Sequence, residues 1–390
     1  LPLPPHPPPF LFMATQPTHR PSCANFGSGP CTKRPGWSFD ALSASALGRS
    51  HRSALGKAKL KACCDETKQI LGLPDGYLVG VVPASDTGAV EMVMWSMLGP
   101  RPVDICYWET FGKTWYDDAV NQLKLEGVRE FSAPFGSLPD LSGTDPSHDI
   151  VFTYNGTTGG AKVPNLDWIA DDRQGLTICD ATSAIFGMDM GPWHKMDVIT
   201  YSWQKVLGGE GGHGMLILGP RAVQRLESYE PPRALPKIFR MAKAGKLIHG
   251  IFQGETINTP SMMCVEDYLD ALDWARNVGG LSALIAKSQA NFDVIAHLVE
   301  EEHWIDFLCT VPEHRSNTSV CLVLKAADGS PMAQASVDAL RKILEKEGVA
   351  YDIGSYRDAP PGLRIWCGAT VEADDLRILC DWLKWAHKQI

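Results

Sequence analysis

The sequence predicts an α/β fold, in which a mainly parallel sheet is wrapped by helices and followed by a smaller α+β domain. Three observations support this prediction. Short apolar runs alternate with longer helical patterns from about residue 78 onward, which is typical of a parallel sheet with helical crossovers. Beyond about residue 270, long helical stretches dominate. A length of 390 residues leaves room for two or three domains.

Six strand-like segments follow one another in the first part of the chain: "YLVGVVP", "VDICYW", "DIVFTY", "LTICD", "DVITYS" and "GMLILG". Between them, "TGAVEMVMWSMLG" (87–99) has helical apolar spacing and "FGKTWYDDAVNQLKLEG" continues the alternation. The later part contains the strands "SVCLVL" and "LRIWCG" and the helices "VDALRKILEKEG" and "EADDLRILCDWLKWAHKQ". We therefore expect a large domain over 25–269 and a small domain over 270–390. Residues 1–24, which begin with the Pro-rich "LPLPPHPPPFLF", are expected to be a disordered extension.

Composition and charge exclude two classes of partner. The 36 Lys and Arg against 45 Asp and Glu give a net charge of −9 without any basic block, which argues against binding nucleic acid. No apolar run approaches the roughly 18 residues that a membrane span needs. The eleven cysteines contain no C-x-x-C, so neither a zinc site nor a disulfide framework is indicated, and a reducing cytoplasm fits best. We expect small-molecule chemistry without a metal.

Lys205 lies at the mouth of a glycine-rich loop in "YSWQKVLGGEGGHGMLILGP" (201–220). A lysine at this position is a surface charge, a phosphate ligand or a group that bonds to a cofactor aldehyde. The phosphate loop G-x-x-x-x-G-K-[ST] places its lysine after the glycines and a helix after the lysine, whereas this chain has the reverse order and a strand. Glycines let backbone approach a planar ligand closely, which favours the aldehyde.

Pyridoxal 5′-phosphate needs a lysine, a carboxylate for its ring nitrogen, an aromatic side chain on its ring and a cup for its phosphate. Asp180 ends the strand-like "LTICD", where open α/β sheets bind ligands; the alternative is a helix N-cap. Ser85 and Asp86 precede a helix whose positive end attracts anions, although such clusters are also ordinary caps.

Three further residues are candidates for cofactor contacts. Trp108 or Phe111 in "YWETFGKTW" could cover the ring face, and the alternative for either is core packing. Thr157 in "YNGTTGG" follows a strand and could bond the phenolic oxygen of the cofactor. Taken alone, that segment is a turn.

Eight segments in order resemble the phosphoserine aminotransferase family, which are pyridoxal-phosphate enzymes of the class V aminotransferase group. They are "NFGSGPC", "GRSHRS", "PASDTGAVEMVMWSMLG", "YNGTTGG", "ICDATSA", "SWQKVLGGEGGHG", "GETINTPSM" and "PPGLRIWCG". The most specific parts are the Gln204–Lys205 pair with Asp180 upstream and the triplet at 258–260. The resemblance covers roughly residues 25–390. It implies fold type I of the pyridoxal-phosphate enzymes, the aspartate-aminotransferase-like fold.

The resemblance implies a role for individual residues. Lys205 carries the cofactor as an imine, Asp180 pairs with the ring nitrogen and Phe111 stacks on the ring. Asn258 and Thr259 reach the cofactor phosphate from the neighbouring subunit, which implies a homodimer with shared sites. The other implied cofactor contacts are Ser85, Asp86, Thr157 and Gln204.

The implied reaction transfers an amino group between glutamate and 3-phosphohydroxypyruvate, giving O-phospho-L-serine and 2-oxoglutarate in serine biosynthesis. Some bacterial relatives also use 4-phosphohydroxythreonine in vitamin B6 synthesis. Arg364 is implied to bind the substrate carboxylate, while His51 and Arg52 contact its phosphate. Arg357 stands roughly where the family usually has a His-Arg pair, which "SYRDAPPGLRIW" lacks.

Other functions share part of this pattern. A serine–glyoxylate aminotransferase or a cysteine desulfurase would have the same lysine and aspartate. The desulfurase normally has a His on the ring and a His before the lysine, whereas this chain has Phe111 and Gln204. A non-catalytic α/β binding protein with a structural lysine is the alternative from another class.

Overall fold

The computed structural model describes residues 15–42 and 46–390. Within them, the chain forms eight α-helices, whose bounds are α1 Ala54–Leu71, α2 Ser85–Met97, α3 Thr110–Asp117, α4 Pro220–Ser228, α5 Met262–Asn277, α6 Gly280–Glu301, α7 Gln334–Lys346 and α8 Ala373–His387. The same residues form fourteen strands, which are β1 Leu78–Pro83, β2 Val103–Tyr107, β3 Val128–Ser132, β4 Asp149–Thr153, β5 Asn155–Gly156, β6 Ala161–Lys162, β7 Thr177–Asp180, β8 Val198–Ser202, β9 His213–Leu218, β10 Ala242–Lys243, β11 Lys246–Leu247, β12 Ile305–Phe307, β13 Ser319–Leu324 and β14 Leu363–Trp366.

The large unit is built on a sheet of seven of these strands, in the order β1-β9-β8-β7-β4-β2-β3. Five neighbouring strands of this sheet, β8, β7, β4, β2 and β3, are parallel to one another. Strand β9 runs antiparallel to both β8 and β1. The predicted, mainly parallel sheet is therefore confirmed. Ile150, Val151 and Phe152 of β4 alternate between two apolar clusters, so both faces of the sheet are covered, as continuous apolar strands require.

The predicted helix over 111–127 is shorter than expected. The structure ends α3 at Asp117 and continues with a π-helical turn over Asp118–Gln122. Lys124, just beyond it, has a left-handed backbone with φ 51°, which a helix cannot contain. The strand β3 and the helices α1 and α4 were not predicted; β3 is an edge strand whose side chains are mostly exposed, so it lacks the apolar pattern of a buried strand.

The small unit contains an antiparallel sheet of β12, β13 and β14, and α8 packs against α6 and α7. The expected domain boundary at residue 269 lies inside α5, which packs on α1 of the large unit. The chain leaves α5 at Val278, and Gly279 then takes a left-handed φ of 116° before α6. The turn at 278–279 is therefore a better place for the boundary.

Residues 15–24 differ from the expected disorder. Ser22 donates its backbone N–H to Asp375 Oδ1 over 2.6 Å, and the carbonyl of His19 accepts the indole N–H of Trp382 over 2.7 Å. These residues lie along the small unit because its helix α8 presents a buried carboxylate and an indole that need partners. Residues 1–14 of the predicted extension lie outside the described residues. No helix in the described ranges is both long and apolar enough to span a bilayer.

Candidate active site

A cavity opens at the carboxyl ends of β4, β7 and β8, beside the first turns of α2 and α3. Its empty volume is about 500 Å³. It is lined by Ser85, Asp86, Thr87, Phe111, Trp115, Thr153, Thr157, Asp180, Thr182, Ser202, Gln204 and Lys205. Open α/β sheets bind ligands at this edge because the strand ends and helix N-termini converge there. The lining includes seven of the nine residues expected to contact the cofactor.

Lys205 follows β8 and is buried. Its ammonium group donates a hydrogen bond to the carbonyl oxygen of Ser28. Burial lowers the pKa of Lys205 and the nearby charge of Arg364 lowers it further, while Cys31 acts in the opposite direction. A depressed pKa is what a lysine nucleophile requires.

The glycine-rich loop serves the packing of the chain around Lys205. Gly208 has a left-handed φ of 65° and accepts no side chain, because a Cβ atom would lie 2.3 Å from the Thr32 carbonyl oxygen. The N-terminal segment thus passes directly over this loop. Its backbone reaches Lys205 through Ser28, so the loop brings a distant part of the sequence to the candidate nucleophile.

Asp180 is the last residue of β7, and both of its carboxylate oxygens have donors. Trp115 Nε1 donates to Oδ2 over 3.2 Å, and the backbone N–H of Thr182 donates to Oδ1 over 3.0 Å. The bond from Thr182 closes a local turn; no helix begins directly after Asp180 in the described residues, so the alternative of a helix N-cap is not what the structure shows. Trp115 and Asp180 both line the cavity, so the bond between them holds the carboxylate at the cavity wall.

The first turn of α2 begins under strain. Ala84 and Ser85 both have left-handed backbones, with φ 64° and 56°, a conformation that costs non-glycine residues energy and clusters at functional sites. Gly88 permits this turn because a Cβ there would lie 2.3 Å from the Pro83 carbonyl oxygen. The N-terminus of α2, with its partial positive charge, is thereby aimed at the cavity.

Asp86 lines the cavity, as expected of a cofactor contact. Its side chain is buried, and burial together with the neighbouring Asp180 charge raises the pKa of Asp86 well above its usual range. An ionised carboxylate would repel a phosphate, whereas a protonated carboxyl group can donate a hydrogen bond to one, so the contact of Asp86 with the cofactor phosphate stays a prediction. The N-terminal backbone of α2 and Ser85 remain suited to that role.

The two aromatic candidates are separated clearly by their positions. Trp108 is buried in the core and its indole N–H donates to the Ala161 carbonyl over 2.9 Å. Phe111 lines the cavity, is 37% exposed and lies 5.5 Å from the Tyr356 ring. Phe111 is therefore the one in a position to contact a planar ligand.

Thr157 and Gln204 line the same cavity. The hydroxyl of Thr157 donates to Ser183 Oγ over 2.7 Å, and Asn155 Nδ2 donates to the same oxygen over 2.8 Å. The backbone carbonyl of Thr157 accepts the Ser319 hydroxyl of the small unit over 2.7 Å. Thr157 is thus held from both units at a fixed place in the cavity wall.

Arg364 lies on β14 of the small unit and is brought close to Lys205. It is only 8% exposed, and its guanidinium stands 5.6 Å from the centre of the Tyr356 ring. Its Nε has no hydrogen-bond partner in the part of the chain that the structure describes. Most arginines are solvated, so a buried guanidinium with a free N–H beside a cavity is suited to bind an anion.

The remaining expected contacts do not line this cavity. Arg52, Asn258, Thr259 and Arg357 are exposed, and His51 is half-buried. The guanidinium of Arg357 lies 5.3 Å from the Tyr356 ring, which keeps it in the vicinity of Arg364. The structure of a single subunit does not bring the other four to the cavity.

Sequence reasoning missed several residues of the site: Trp115, Thr153, Thr182 and Ser202. Trp115 lies four positions after Phe111 on α3, a spacing that puts two side chains on the same helical face. Thr153 and Ser202 end β4 and β8, the same kind of position as that of Asp180. Both signals were available in the sequence.

The chemistry of the lining fits pyridoxal 5′-phosphate. Five buried polar atoms of the lining have no hydrogen-bond partner among the described residues, and these are Asp86 Oδ1, Thr153 Oγ1, Thr182 Oγ1, Ser202 Oγ and Gln204 Oε1. Buried polar groups are nearly always paired, so their concentration in one cavity indicates a polar ligand. Lys205, Asp180 and Phe111 supply the amine, carboxylate and aromatic ring that this cofactor requires.

Solved structures share this fold. A phosphoserine aminotransferase from Cytophaga hutchinsonii superposes with a TM-score of 0.79 at 20% identity, covering 93% of this chain and 99% of that one. A phosphoserine aminotransferase from Trichomonas vaginalis with bound PLP has a TM-score of 0.75 at 16% identity, covering 93% and 99%. At these identities the likeness establishes the aspartate-aminotransferase-like fold alone.

Curated sequences are more similar. No protein-family model matches the chain. The phosphoserine aminotransferase of Methanosarcina barkeri is 58% identical over 375 residues, which cover 96% of this chain and the whole of that protein. The enzyme of the same name from Methanosarcina mazei is 57% identical over 372 residues, covering 95% and 99%. Identity of this extent over the full length means that the chain belongs to the phosphoserine aminotransferase family.

Proposed function

We propose that the chain is a pyridoxal-phosphate-dependent phosphoserine aminotransferase. It transfers an amino group between glutamate and 3-phosphohydroxypyruvate, giving O-phospho-L-serine and 2-oxoglutarate. The observation that carries this proposal is the meeting of Lys205 and Asp180 in a cavity where five buried polar atoms have no partner among the described residues. The 58% identity to a phosphoserine aminotransferase selects the substrate class within that chemistry.

When bound, the cofactor supplies an aldehyde for the amino group and an electron-withdrawing ring. Lys205 provides the amine that holds it. Because burial lowers the pKa of Lys205, a larger share of its side chain is neutral near pH 7 than for an exposed lysine. A neutral amine can attack a carbonyl group, and it can also carry a proton between the substrate Cα and the C4′ carbon of the bound cofactor.

Asp180 provides the negative charge opposite the ring nitrogen. Its two hydrogen bonds, from Trp115 and Thr182, fix the orientation of the carboxylate. A carboxylate in a buried site stabilises a positive partner far more than one in water does. Asp180 thereby holds a proton on the ring nitrogen.

Two subunits are needed for the phosphate end of the cofactor. Ser85, Gln204 and the N-terminus of α2 supply part of the phosphate site from one copy of the chain. Asn258 and Thr259 are exposed, which suits residues that reach into the site of a second copy. The proposed active unit is a homodimer with two shared sites.

The substrate has a carboxylate at one end and a phosphate at the other. Arg364 takes the carboxylate, because its buried fork can form two charged hydrogen bonds to it. His51 and Arg52 of the second copy bind the phosphate, with help from Arg357. All eleven cysteines are free, which suits the proposed location in a reducing cytoplasm.

The experiment begins with the colour of the purified protein. A bound cofactor gives visible absorbance that borohydride removes, and Lys205→Ala must lose this covalent signal while the exposed Lys342→Ala retains it. The assay then mixes the enzyme with 2-oxoglutarate and either O-phosphoserine or serine and follows glutamate. A colourless protein that pyridoxal phosphate does not reconstitute, or equal activity with serine, would contradict the proposal.

The related activities are outcomes of the same assay. Amino transfer from serine to glyoxylate, or release of sulfur from cysteine, would indicate one of the other class V enzymes. The buried Arg364 suits all of these substrates, because each of them carries a carboxylate. The choice of the phosphorylated amino acid therefore rests on the family relationship.

A further inference from the structure

A second buried carboxyl group stands beside Asp180. Asp86, in the first turn of α2, is only 7% exposed, and it lines the same cavity as Asp180. The helix α2 packs over β8 and β9, so its first turn stands above the carboxyl ends of the central strands. Two carboxyl groups so close together cannot both ionise without a large electrostatic cost.

The polar surroundings of Asp86 contain acceptors and hydroxyls. Burial and the charge of Asp180 raise the pKa of Asp86, and the neighbouring hydroxyl groups of Thr200 and Thr182 lower it by less. Asp180 and Thr200 are directly paired in the register of β7 and β8. The atoms Asp86 Oδ1, Thr182 Oγ1 and Thr200 Oγ1 are buried and have no partner in the described ranges. A protonated carboxyl group can donate to one of these oxygens and accept from another, which a carboxylate cannot do.

The titratable groups around Asp86 do not supply a positive charge that pairs with its carboxyl group. Cys179 lies beside Asp180 on β7, and burial holds its thiol protonated. His213 begins β9, and burial lowers the pKa of His213 to about 4, so it is neutral near pH 7. On the loop after β8, Lys205 directs its amine to Ser28. Glu91, on α2 itself, is a further acid.

We propose that Asp86 is a positioning residue that stays protonated and leaves Asp180 as the single carboxylate at the ring-nitrogen end of the site. This inference rests on the proposed function, because it concerns the binding of pyridoxal phosphate. A neutral Asp86 lets the N-terminus of α2 attract the cofactor phosphate, whereas an ionised one would oppose that attraction. Its proton also supplies a donor toward Asp180, which an ionised Asp86 lacks.

The first test measures the proton on Asp86 without any cofactor chemistry. Infrared difference spectra of the cofactor-free protein at pH 7 report the C=O stretch of protonated carboxyl groups. Asp86→Asn is expected to remove one such band, while the exposed Asp75→Asn leaves the spectrum unchanged. Retention of the full protonated-carboxyl signal in Asp86→Asn would overturn the proposal.

The second test measures cofactor affinity against pH, with a thermal melt of each variant as a check of folding. At pH 7, Asp86→Asn, which copies the neutral acid, should bind pyridoxal phosphate within about threefold of the original protein. Asp86→Ala, which leaves the neighbouring hydroxyls without the Asp86 side chain as a partner, should bind pyridoxal phosphate roughly tenfold more weakly or worse. As pH rises, the original protein should lose affinity where its infrared band disappears, and Asp86→Asn should lack that loss.

The two proposals fail in different ways. A tenfold or greater loss of affinity in folded Asp86→Asn at pH 7 would mean that Asp86 works as a carboxylate, and would overturn this inference alone. Failure of the original protein to bind pyridoxal phosphate would overturn the proposed function, whereas the infrared result would still decide whether Asp86 is protonated.

Discussion

Replacement of Arg364 by lysine tests how the site recognises a carboxylate. Arg364 is buried and its Nε is unpaired among the described residues, so a substrate carboxylate can take both arms of the fork. A charged hydrogen bond contributes about 1.5–3 kcal/mol. Arg364→Lys keeps the charge and loses one of the two bonds, which corresponds to a loss of roughly tenfold to a hundredfold in kcat/KM. Arg364→Met loses both, about 3–6 kcal/mol, or roughly 10²–10⁴-fold.

The assay follows single turnovers by absorbance, with glutamate and O-phosphoserine added separately. Both amino acids carry the same α-carboxylate, so both half-reactions should slow by similar factors. Arg377→Lys is the matched control, because Arg377 is exposed on α8 and should leave both rates unaltered. If Arg364→Lys reacts at the original rate, or if only one amino acid is affected, Arg364 does not bind the shared carboxylate. Melting temperatures separate these effects from unfolding.

Other changes have equally definite outcomes. Trp115→Phe removes the indole donor to Asp180 and should slow turnover roughly tenfold to a hundredfold, because a charged hydrogen bond is lost; unchanged rates would mean that the bond has no role. Asp180→Asn should still bind cofactor and lose most turnover, and a fully active variant would refute the pairing. Burial raises the pKa of Glu109 to about 7 from 4.5, so this residue contributes stability below pH 4.5 that is lost as the pH rises through about 7. Glu109→Gln should therefore flatten the pH dependence of the free energy of unfolding in that window, by at most about 1.4 kcal/mol per pH unit. Urea titrations at several pH values measure this free energy, and the same dependence on pH in the variant and the original protein would contradict the prediction. Mixing Lys205→Ala with Asn258→Ala subunits should restore partial activity, and its absence despite subunit exchange would exclude shared sites.

The sequence predicts the central sheet well, for a physical reason. The strands β4, β7, β8 and β9 are buried on both faces, so each one appears as a short continuous apolar run. The carboxyl ends of the parallel strands β4, β7 and β8 meet at one edge of the sheet, so the residues that end them can be grouped from the order of the strands alone. Asp180 and Lys205 are found together for this reason.

The rest of the site depends on contacts that no local pattern encodes. Arg364 approaches Lys205 from the small unit, and Ser28 reaches Lys205 across 177 positions of sequence. Nor does the local sequence show that Asp86 is buried beside Asp180, and the contact of Asp86 with the cofactor phosphate stays a prediction. Burial changes how readily a carboxyl group ionises, and the local sequence does not show whether a side chain is buried.

The N-terminal segment that lies along α8 has a consequence for biosynthesis. Ser22 and its acceptor Asp375 are 353 positions apart, and a ribosome adding roughly 5–20 residues per second needs about 20 to 70 seconds to cover that distance. During this time the segment has emerged, while the helix that receives it has not been made. The small unit can therefore reach its final form only after translation of the chain is nearly finished, and the large unit, whose sheet is complete by Leu218, has its strands available much earlier.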